Sequence, residues 1–193
     1  MSKIKILITG ASGFVGTNLC KKISKSKYNI YGCYFRNKKF KKFYKIKYIK
    51  RNLISFKNCK QITKNKDIVI MTAAVSSGAN IIINNPLTHF TPNVIMNNNI
   101  LQACFENKVK KLIFISSNTV YPNSKKVMKE NDSKYSFFDK YFIVAWMKKF
   151  SEVSCEIFSN KVKSDLSCIV VRPGNLYGPF DKFSKLESKV VPA

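Results

Sequence analysis

The chain has 193 residues, enough for one domain with a substantial core, and 45% of them are hydrophobic, which excludes a largely disordered protein. Lys and Arg number 35 against 10 Asp and Glu, giving a net charge of +25 that would attract any polyanion. Nearly all of that charge is Lys, whereas Arg usually carries the bidentate contacts to phosphates and bases. We therefore expect no specific nucleic-acid binding and keep a nucleic-acid-binding module only as a third hypothesis.

The apolar segments and the cysteines predict a cytoplasmic protein without a membrane anchor. Apolar runs such as residues 68–74 are too short to span a bilayer, and the first residues lead directly into a strand rather than a secretory signal. The six cysteines are scattered without Cys-x-x-Cys spacing, so we expect small buried hydrophobes in a reducing compartment. The sequence predicts no metal site.

The first segment predicts a dinucleotide-binding loop. An apolar run of strand length ends at Gly10, and an amphipathic helix pattern starts a few residues later. Gly13 and Gly16 follow Gly10 at a spacing of three. Glycine permits tight turns and close approach of a phosphate, and the helix directs its free N–H groups at that phosphate. The predicted cofactor contacts are Gly10, Ser12, Gly13, Phe14, Val15 and Gly16.

Strands and helices then alternate along the chain. The patterns predict strands at residues 29–35, 46–49, 67–74, 111–117 and 166–172, and helices at 55–64, 92–107 and 140–160. A polar loop is expected at residues 76–86. This alternation predicts an α/β fold, a Rossmann-type doubly wound parallel sheet with helices on both faces.

The end of the second strand bears on the choice of cofactor. In a Rossmann unit an acidic residue there binds the ribose hydroxyls, but this chain has Arg36 instead. A cation at that point favours a cofactor with a 2′-phosphate, so we expect NADP, with NAD possible. The alternative is that Arg36 is one more surface charge in a basic chain.

Four motifs in chain order carry a family resemblance. They are residues 10–16, Thr72-Ala73-Ala74, Ser116-Ser117-Asn118-Thr119-Val120-Tyr121, and Arg172-Pro173-Gly174-Asn175-Leu176-Tyr177-Gly178-Pro179. With them the chain resembles the extended short-chain dehydrogenase/reductases, the NAD(P)-dependent nucleotide-sugar epimerases and dehydratases. The last motif, with residues 188–193, is nearest to GDP-fucose synthase-like members. The resemblance implies a nucleotide-diphosphate sugar substrate, hydride transfer at a sugar carbon, and a homodimer formed through helices.

The resemblance also implies a domain organisation. Residues 1–175 match the NAD(P)-binding Rossmann domain, and residues 176–193 match the start of a substrate-binding region. Members of the family continue well beyond this point. The sequence is therefore interpreted as truncated, with the carboxyl-terminal substrate domain largely missing.

The family's chemistry uses a tyrosine, a lysine four residues later, and a Ser or Thr after the fifth strand. Ser117 matches the last of these, and Lys148 matches the lysine, which also holds the nicotinamide ribose. The tyrosine's place is Val144, which has no ionisable proton. Tyr141 lies one turn earlier and is an alternative proton donor. Two hypotheses remain open: an active enzyme, or a catalytically impaired cofactor-binding protein that acts as a sensor or partner subunit.

The resemblance assigns the remaining site residues. Ala73 and Ala74 let the backbone approach the cofactor, and Asn93, Thr119 and Asn175 match positions that face the substrate. The one histidine, His89, is expected to be structural.

Overall fold

The computed structural model describes residues 3–37, 39–76 and 84–181. In these ranges the strands form one sheet in which every neighbouring pair is parallel, in the order β3-β2-β1-β4-β5-β6. The strands are β1 (Lys5–Thr9), β2 (Asn29–Tyr34), β3 (Ile46–Lys50), β4 (Ile68–Met71), β5 (Lys111–Ile115) and β6 (Ser167–Val171).

The helices are α1 (Phe14–Ile23), α2 (Phe56–Thr63), α3 (Pro86–Glu106) and α4 (Phe142–Glu156). A π-helical turn, Ile157–Lys161, extends α4, and short 3₁₀ turns span Asn118–Val120, Glu130–Asp132 and Asp139–Tyr141. Strand order reverses beside β1, because β2 lies on one side of it and β4 on the other. The predicted Rossmann-type fold is confirmed.

Apolar side chains fill both faces of the sheet because the chain alternates within each strand. Leu7, Val69 and Leu112 are paired across β1, β4 and β5 and face the core under α2, α3 and α4. Ile6 and Ile8 point to the other face, where Cys20 of α1 packs against them. Helices thus cover both faces, as the sequence predicts.

Two predicted boundaries are wrong for identifiable reasons. Helix α3 begins at Pro86, not residue 92, because a proline at the first helical position loses no hydrogen bond; Pro92 lies inside the helix. Strand β4 ends at Met71 rather than residue 74, because Thr72 and Ala73 turn toward Thr9. Part of the predicted loop, residues 77–83, and the motif at residues 188–193 lie outside the described residues.

The cysteines are free thiols, five of them buried and Cys168 partly exposed. None of the helices in the described ranges combines the length and apolarity that a bilayer crossing requires. The same ranges contain no group of three or more His, Cys, Asp or Glu side chains placed to hold a metal ion.

Candidate functional site

The glycine loop joins β1 to α1 through two backbone contacts that exclude side chains. Gly10 has a φ of +68°, and a Cβ there would lie 2.6 Å from the Cα of Ala73. At Gly16 a Cβ would lie 2.1 Å from the Gly10 oxygen. The Gly13 N–H donates to that same oxygen at 2.9 Å, which closes the turn. Gly10 and Gly16 therefore allow the turn after β1, the helix and the end of β4 to meet.

The N-terminus of α1 fits an anionic group. Helix α1 starts after Gly13, no side chain of the described residues caps it, and its first turn contains no acidic residue. A Cβ at Gly13 would contact only the Gly10 oxygen, at 3.3 Å, so the loop leaves room for a ligand. Ser12, Phe14 and Val15 are partly buried beside it. This open, positively polarised helix end is the arrangement that binds a dinucleotide pyrophosphate.

The segment after β2 is attached to the glycine loop. The Ala11 N–H donates to the Cys33 carbonyl at 2.8 Å, and the Asn37 amide donates to the Ser12 carbonyl at 3.2 Å. Arg36 lies between these attachments and is exposed. The structure therefore brings Arg36 to the same edge of the sheet as the glycine loop.

Asn93 holds the segment that carries Ala73 and Ala74. Its amide oxygen accepts from the Val75 N–H at 2.9 Å, and its amide nitrogen donates to the carbonyls of Val75 at 3.0 Å and His89 at 2.6 Å. The side chain is only 1% exposed. These bonds fix the backbone that faces Gly10, so Asn93 positions the loop.

Lys148 and Ser117 meet at the carboxyl end of β5. The Lys148 ammonium donates to the carbonyl of Ile115, the last residue of β5, at 2.8 Å. Burial lowers the pKa of Lys148 to about 8, and the Glu152 carboxylate opposes that shift. The Ser117 hydroxyl accepts from the Thr119 N–H at 3.2 Å and donates to Asn118 Oδ1 at 3.4 Å. Ser117 is thus anchored two residues beyond the carbonyl that holds Lys148.

The other expected site residues differ in how they relate to Lys148 and Ser117. Tyr141 precedes α4, is 47% exposed, and packs its ring 5.8 Å from that of Phe138. Among the contacts of the described residues, none joins Tyr141 to Lys148. Thr119 has a buried hydroxyl with no hydrogen-bond partner in the described part of the chain. Asn175 follows β6 and is exposed.

A buried ion pair, which the sequence did not reveal, fixes α4 to the sheet. Glu152 is 7% exposed and accepts bonds from Ser116 Oγ at 2.6 Å and from the Arg172 guanidinium at 2.9 and 2.8 Å. Arg172 also donates to the Tyr121 hydroxyl at 3.2 Å and to the Glu130 carbonyl at 2.9 Å. The helical spacing shows only that Glu152 lies one turn after Lys148, whereas its partner Arg172 is twenty residues away along the chain, beyond the reach of a local pattern.

Comparison of the chain with known protein families gives one match that spans nearly all of it. The family model described as the NAD dependent epimerase/dehydratase family matches residues 6–193. The chain belongs to that family.

Individual relatives agree with this assignment. The GDP-L-colitose synthase of Yersinia pseudotuberculosis is 28% identical over 194 residues, 98% of this chain and 58% of that protein. A GDP-L-fucose synthetase from Naegleria fowleri bound to NADP has a TM-score of 0.78 at 24% identity, over 100% of this chain and 56% of that one. MoeE5 in complex with UDP-glucose and NAD has a TM-score of 0.76 at 23% identity, over 92% and 56%. The chain spans a little under three fifths of these proteins.

Val144 departs from the site that the family resemblance implies, and His89 is buried without a hydrogen-bond partner among the described residues. Val144 lies one turn before Lys148, where the family pattern has tyrosine. His89 is 6% exposed, and neither ring nitrogen has a hydrogen-bond partner among the described residues. Burial and the charge of Lys148 lower the pKa of His89, so its imidazole is neutral at pH 7. His89 is buried as expected, but its nitrogens are not satisfied.

Proposed function

We propose that this protein binds NADP(H), with NAD(H) as the weaker alternative, and acts on a nucleotide-diphosphate sugar by hydride transfer at a sugar carbon. The observation that carries the proposal is the convergence of the glycine loop, Arg36 and Lys148 at the carboxyl edge of one parallel sheet. Ligands of open α/β sheets bind at that edge, where the strand order reverses. The names of the similar proteins include GDP- and UDP-sugars, NAD and NADP.

Each part of the site has a distinct role in this proposal. The N-terminus of α1 binds the pyrophosphate, and Arg36 pairs with a 2′-phosphate. Lys148 donates to the ribose hydroxyls beside the nicotinamide, and Ser117 orients the reacting sugar hydroxyl. When bound, the nicotinamide ring supplies the hydride donor or acceptor.

The proton-transfer group separates the two forms of the proposal. Val144 cannot give or take a proton, and Tyr141 lies about two helical turns before Lys148, roughly 10 Å along the axis. In the active form Tyr141 reaches the substrate from that position. In the second form the protein binds the cofactor without the usual catalysis, as a sensor or partner subunit, and the replacement by Val144 is the observation that favours it.

Cofactor binding is tested by titrating the protein with NADPH and NADH and following nicotinamide fluorescence. We expect NADPH to bind more tightly than NADH. Arg36→Leu should weaken NADPH binding by about tenfold or more and leave the NADH affinity little changed. Lys41→Leu removes a charge from an exposed position a few residues on and is the matched control. Absence of binding at millimolar concentrations of either cofactor would reject the proposal.

Turnover is tested with a panel of GDP- and UDP-sugars in the presence of NADP and NADPH. Conversion by the parent that is lost in Tyr141→Phe supports the active form. Conversion that appears only in Val144→Tyr supports the second form.

We also propose a homodimer through the exposed faces of α3 and α4, which sedimentation velocity measures directly.

A further inference from the structure

An open cavity lies between β6 and helix α4 with its π-helical turn. Its volume is about 290 Å³. The lining includes Cys155 of α4, Cys168 of β6 and Ser159 of the π-helical turn, together with Glu152 and Arg172. The proposed function uses neither of its cysteines.

The two cysteines are neighbours in the fold. They line the same cavity, Cys168 packs against the buried cluster that contains Cys155, and a thiolate on Cys168 can accept a hydrogen bond from the Cys155 thiol. Cys155 is 1% exposed, whereas Cys168 is partly exposed through the cavity. The contact lowers the pKa of Cys168 and raises that of Cys155, because the hydrogen bond stabilises a thiolate on its acceptor only. The accessible sulfur is therefore also the one that ionises more readily.

We propose that Cys155 and Cys168 form a reversible redox site, which hydrogen peroxide converts to an intramolecular disulfide. The Cys168 thiolate attacks one peroxide oxygen, the O–O bond breaks, and the departing hydroxide takes a proton to become water. Cys168 is then a sulfenic acid. The Cys155 sulfur attacks the Cys168 sulfur, the S–S bond forms and the S–O bond breaks. The second hydroxide leaves with the Cys155 proton as water, so two thiols reduce one peroxide to two waters.

The other cysteines do not share this combination of contact and access. Cys33 and Cys59 are within electrostatic range of each other, but both are fully buried, and burial raises the pKa of each thiol to about 12. Cys104 is fully buried and its thiol pKa is also raised. Cys20 is fully buried as well. Oxidation by a small excess of peroxide should therefore be confined to one pair.

The disulfide would link the last turn of α4 to β6. The same two elements are already connected by Glu152, one turn before Cys155, and by Arg172, the residue that follows β6. Both side chains already line the same cavity, so their rotation toward each other is the movement that forms an S–S bond of about 2.05 Å. Oxidation is thus expected to preserve the fold.

The test treats the reduced wild-type protein with a few equivalents of hydrogen peroxide, then counts thiols after denaturation and maps peptides by mass spectrometry. We expect six thiols to fall to four, a cross-linked peptide pair containing Cys155 and Cys168, and recovery of all thiols with dithiothreitol. Retention of six thiols, or a disulfide joining any other pair, would overturn the proposal. This outcome does not depend on cofactor binding or turnover.

Two serine variants test the direction of attack. In Cys155→Ser the Cys168 sulfenic acid loses its proposed partner, and Cys104, which is within electrostatic range, is fully buried with a raised thiol pKa, so we expect dimedone to label Cys168. In Cys168→Ser we expect no dimedone label on Cys155, because its sulfur is buried. Equal labelling of the two variants would contradict the assigned roles. Cys20→Ser is the control and should fall from five thiols to three, with circular dichroism confirming the fold of each variant.

Discussion

Replacing Lys148 with methionine should stabilise the protein while removing a proposed cofactor contact. Lys148 places a buried ammonium against the Ile115 carbonyl, with its charge 5.0 Å from the centroid of the Phe114 ring. Methionine fills a similar volume without a charge. The free energy of unfolding of Lys148→Met therefore measures what burial of that ammonium costs the folded state.

The magnitude follows from the pKa of Lys148. Burial lowers it from 10.5 to about 8, and each unit corresponds to about 1.4 kcal/mol. The buried charge thus costs about 3 kcal/mol at neutral pH. The variant loses a hydrogen bond worth about 1 kcal/mol. We expect Lys148→Met to raise the free energy of unfolding by about 2 kcal/mol at pH 7.

The stability gained by Lys148→Met changes with pH in a direction that follows from the lowered pKa of Lys148. The folded-state pKa of Lys148 lies below the unfolded value, so between about pH 8 and 10.5 the unfolded chain binds the proton and the folded chain does not. Wild-type stability from this group therefore rises with pH across that window. The advantage of Lys148→Met is full below pH 8 and disappears toward pH 10.5.

The assay is urea denaturation followed by circular dichroism from pH 7 to pH 10, reported as the difference between variant and wild type. Titration of groups that do not interact with Lys148 is common to both proteins and cancels, and the assay starts at pH 7 because the charge of Lys148 also lowers the pKa of His89. Lys149→Met is the matched control, because Lys149 donates to Ser133 and pairs with Glu152 at 3.6 Å, so its loss should destabilise. A Lys148→Met variant less stable than wild type at pH 7, or a difference independent of pH, would refute the reasoning.

Three further predictions concern stability and are measured in the same way. Glu152→Gln leaves Arg172 without its buried carboxylate and should lower the free energy of unfolding by about 3 kcal/mol. The double replacement of Glu152 and Arg172 by Met should lower it less; an equal or greater loss in the double variant would contradict this. Gly16→Ala should prevent stable folding, because its Cβ would meet a backbone oxygen at 2.1 Å, whereas Gly174→Ala, with no described atom within 4 Å of its Cβ, should change little. His89→Phe removes two buried ring nitrogens that have no hydrogen-bond partner in the described part of the chain, and it should raise the free energy of unfolding by about 1 kcal/mol, with the gain growing below pH 6.5 as the unfolded histidine protonates; a loss of stability would show that the ring nitrogens have partners.

The sheet was predictable because its strands carry continuous apolar runs bounded by polar residues. Residues 29–35 and 111–117 were each predicted as strands that end within two residues of their observed limits. The end of β4 was harder, since Thr72 and Ala73 have strand-like composition but turn to reach Thr9 and Gly10. That turn depends on a contact more than sixty residues away along the chain, and local pattern does not encode it.

The glycine loop was predictable, and the partners of its neighbours were not. Three glycines at a spacing of three, between a strand and a helix, permit the tight turn and the close approach of a phosphate that a dinucleotide loop needs. Asn93, in contrast, has its amide bonded to Val75, eighteen residues earlier. A single sequence shows that an Asn lies early in a helix, but the choice between a substrate contact and a backbone clamp depends on how α3 packs. The Glu152–Arg172 pair was missed for the same reason.

The position of Lys148 does not depend on the residue at position 144. Helix α4 is held to β5 by Ser116 and to the segment after β6 by Arg172, both through the Glu152 carboxylate. Lys148 lies one turn before Glu152 and is fixed again by the Ile115 carbonyl. Cofactor binding and proton transfer are therefore separable in this protein. Val144→Tyr should leave the NADPH affinity and the free energy of unfolding nearly unchanged, and any turnover that it adds comes from the new hydroxyl rather than from a displaced Lys148.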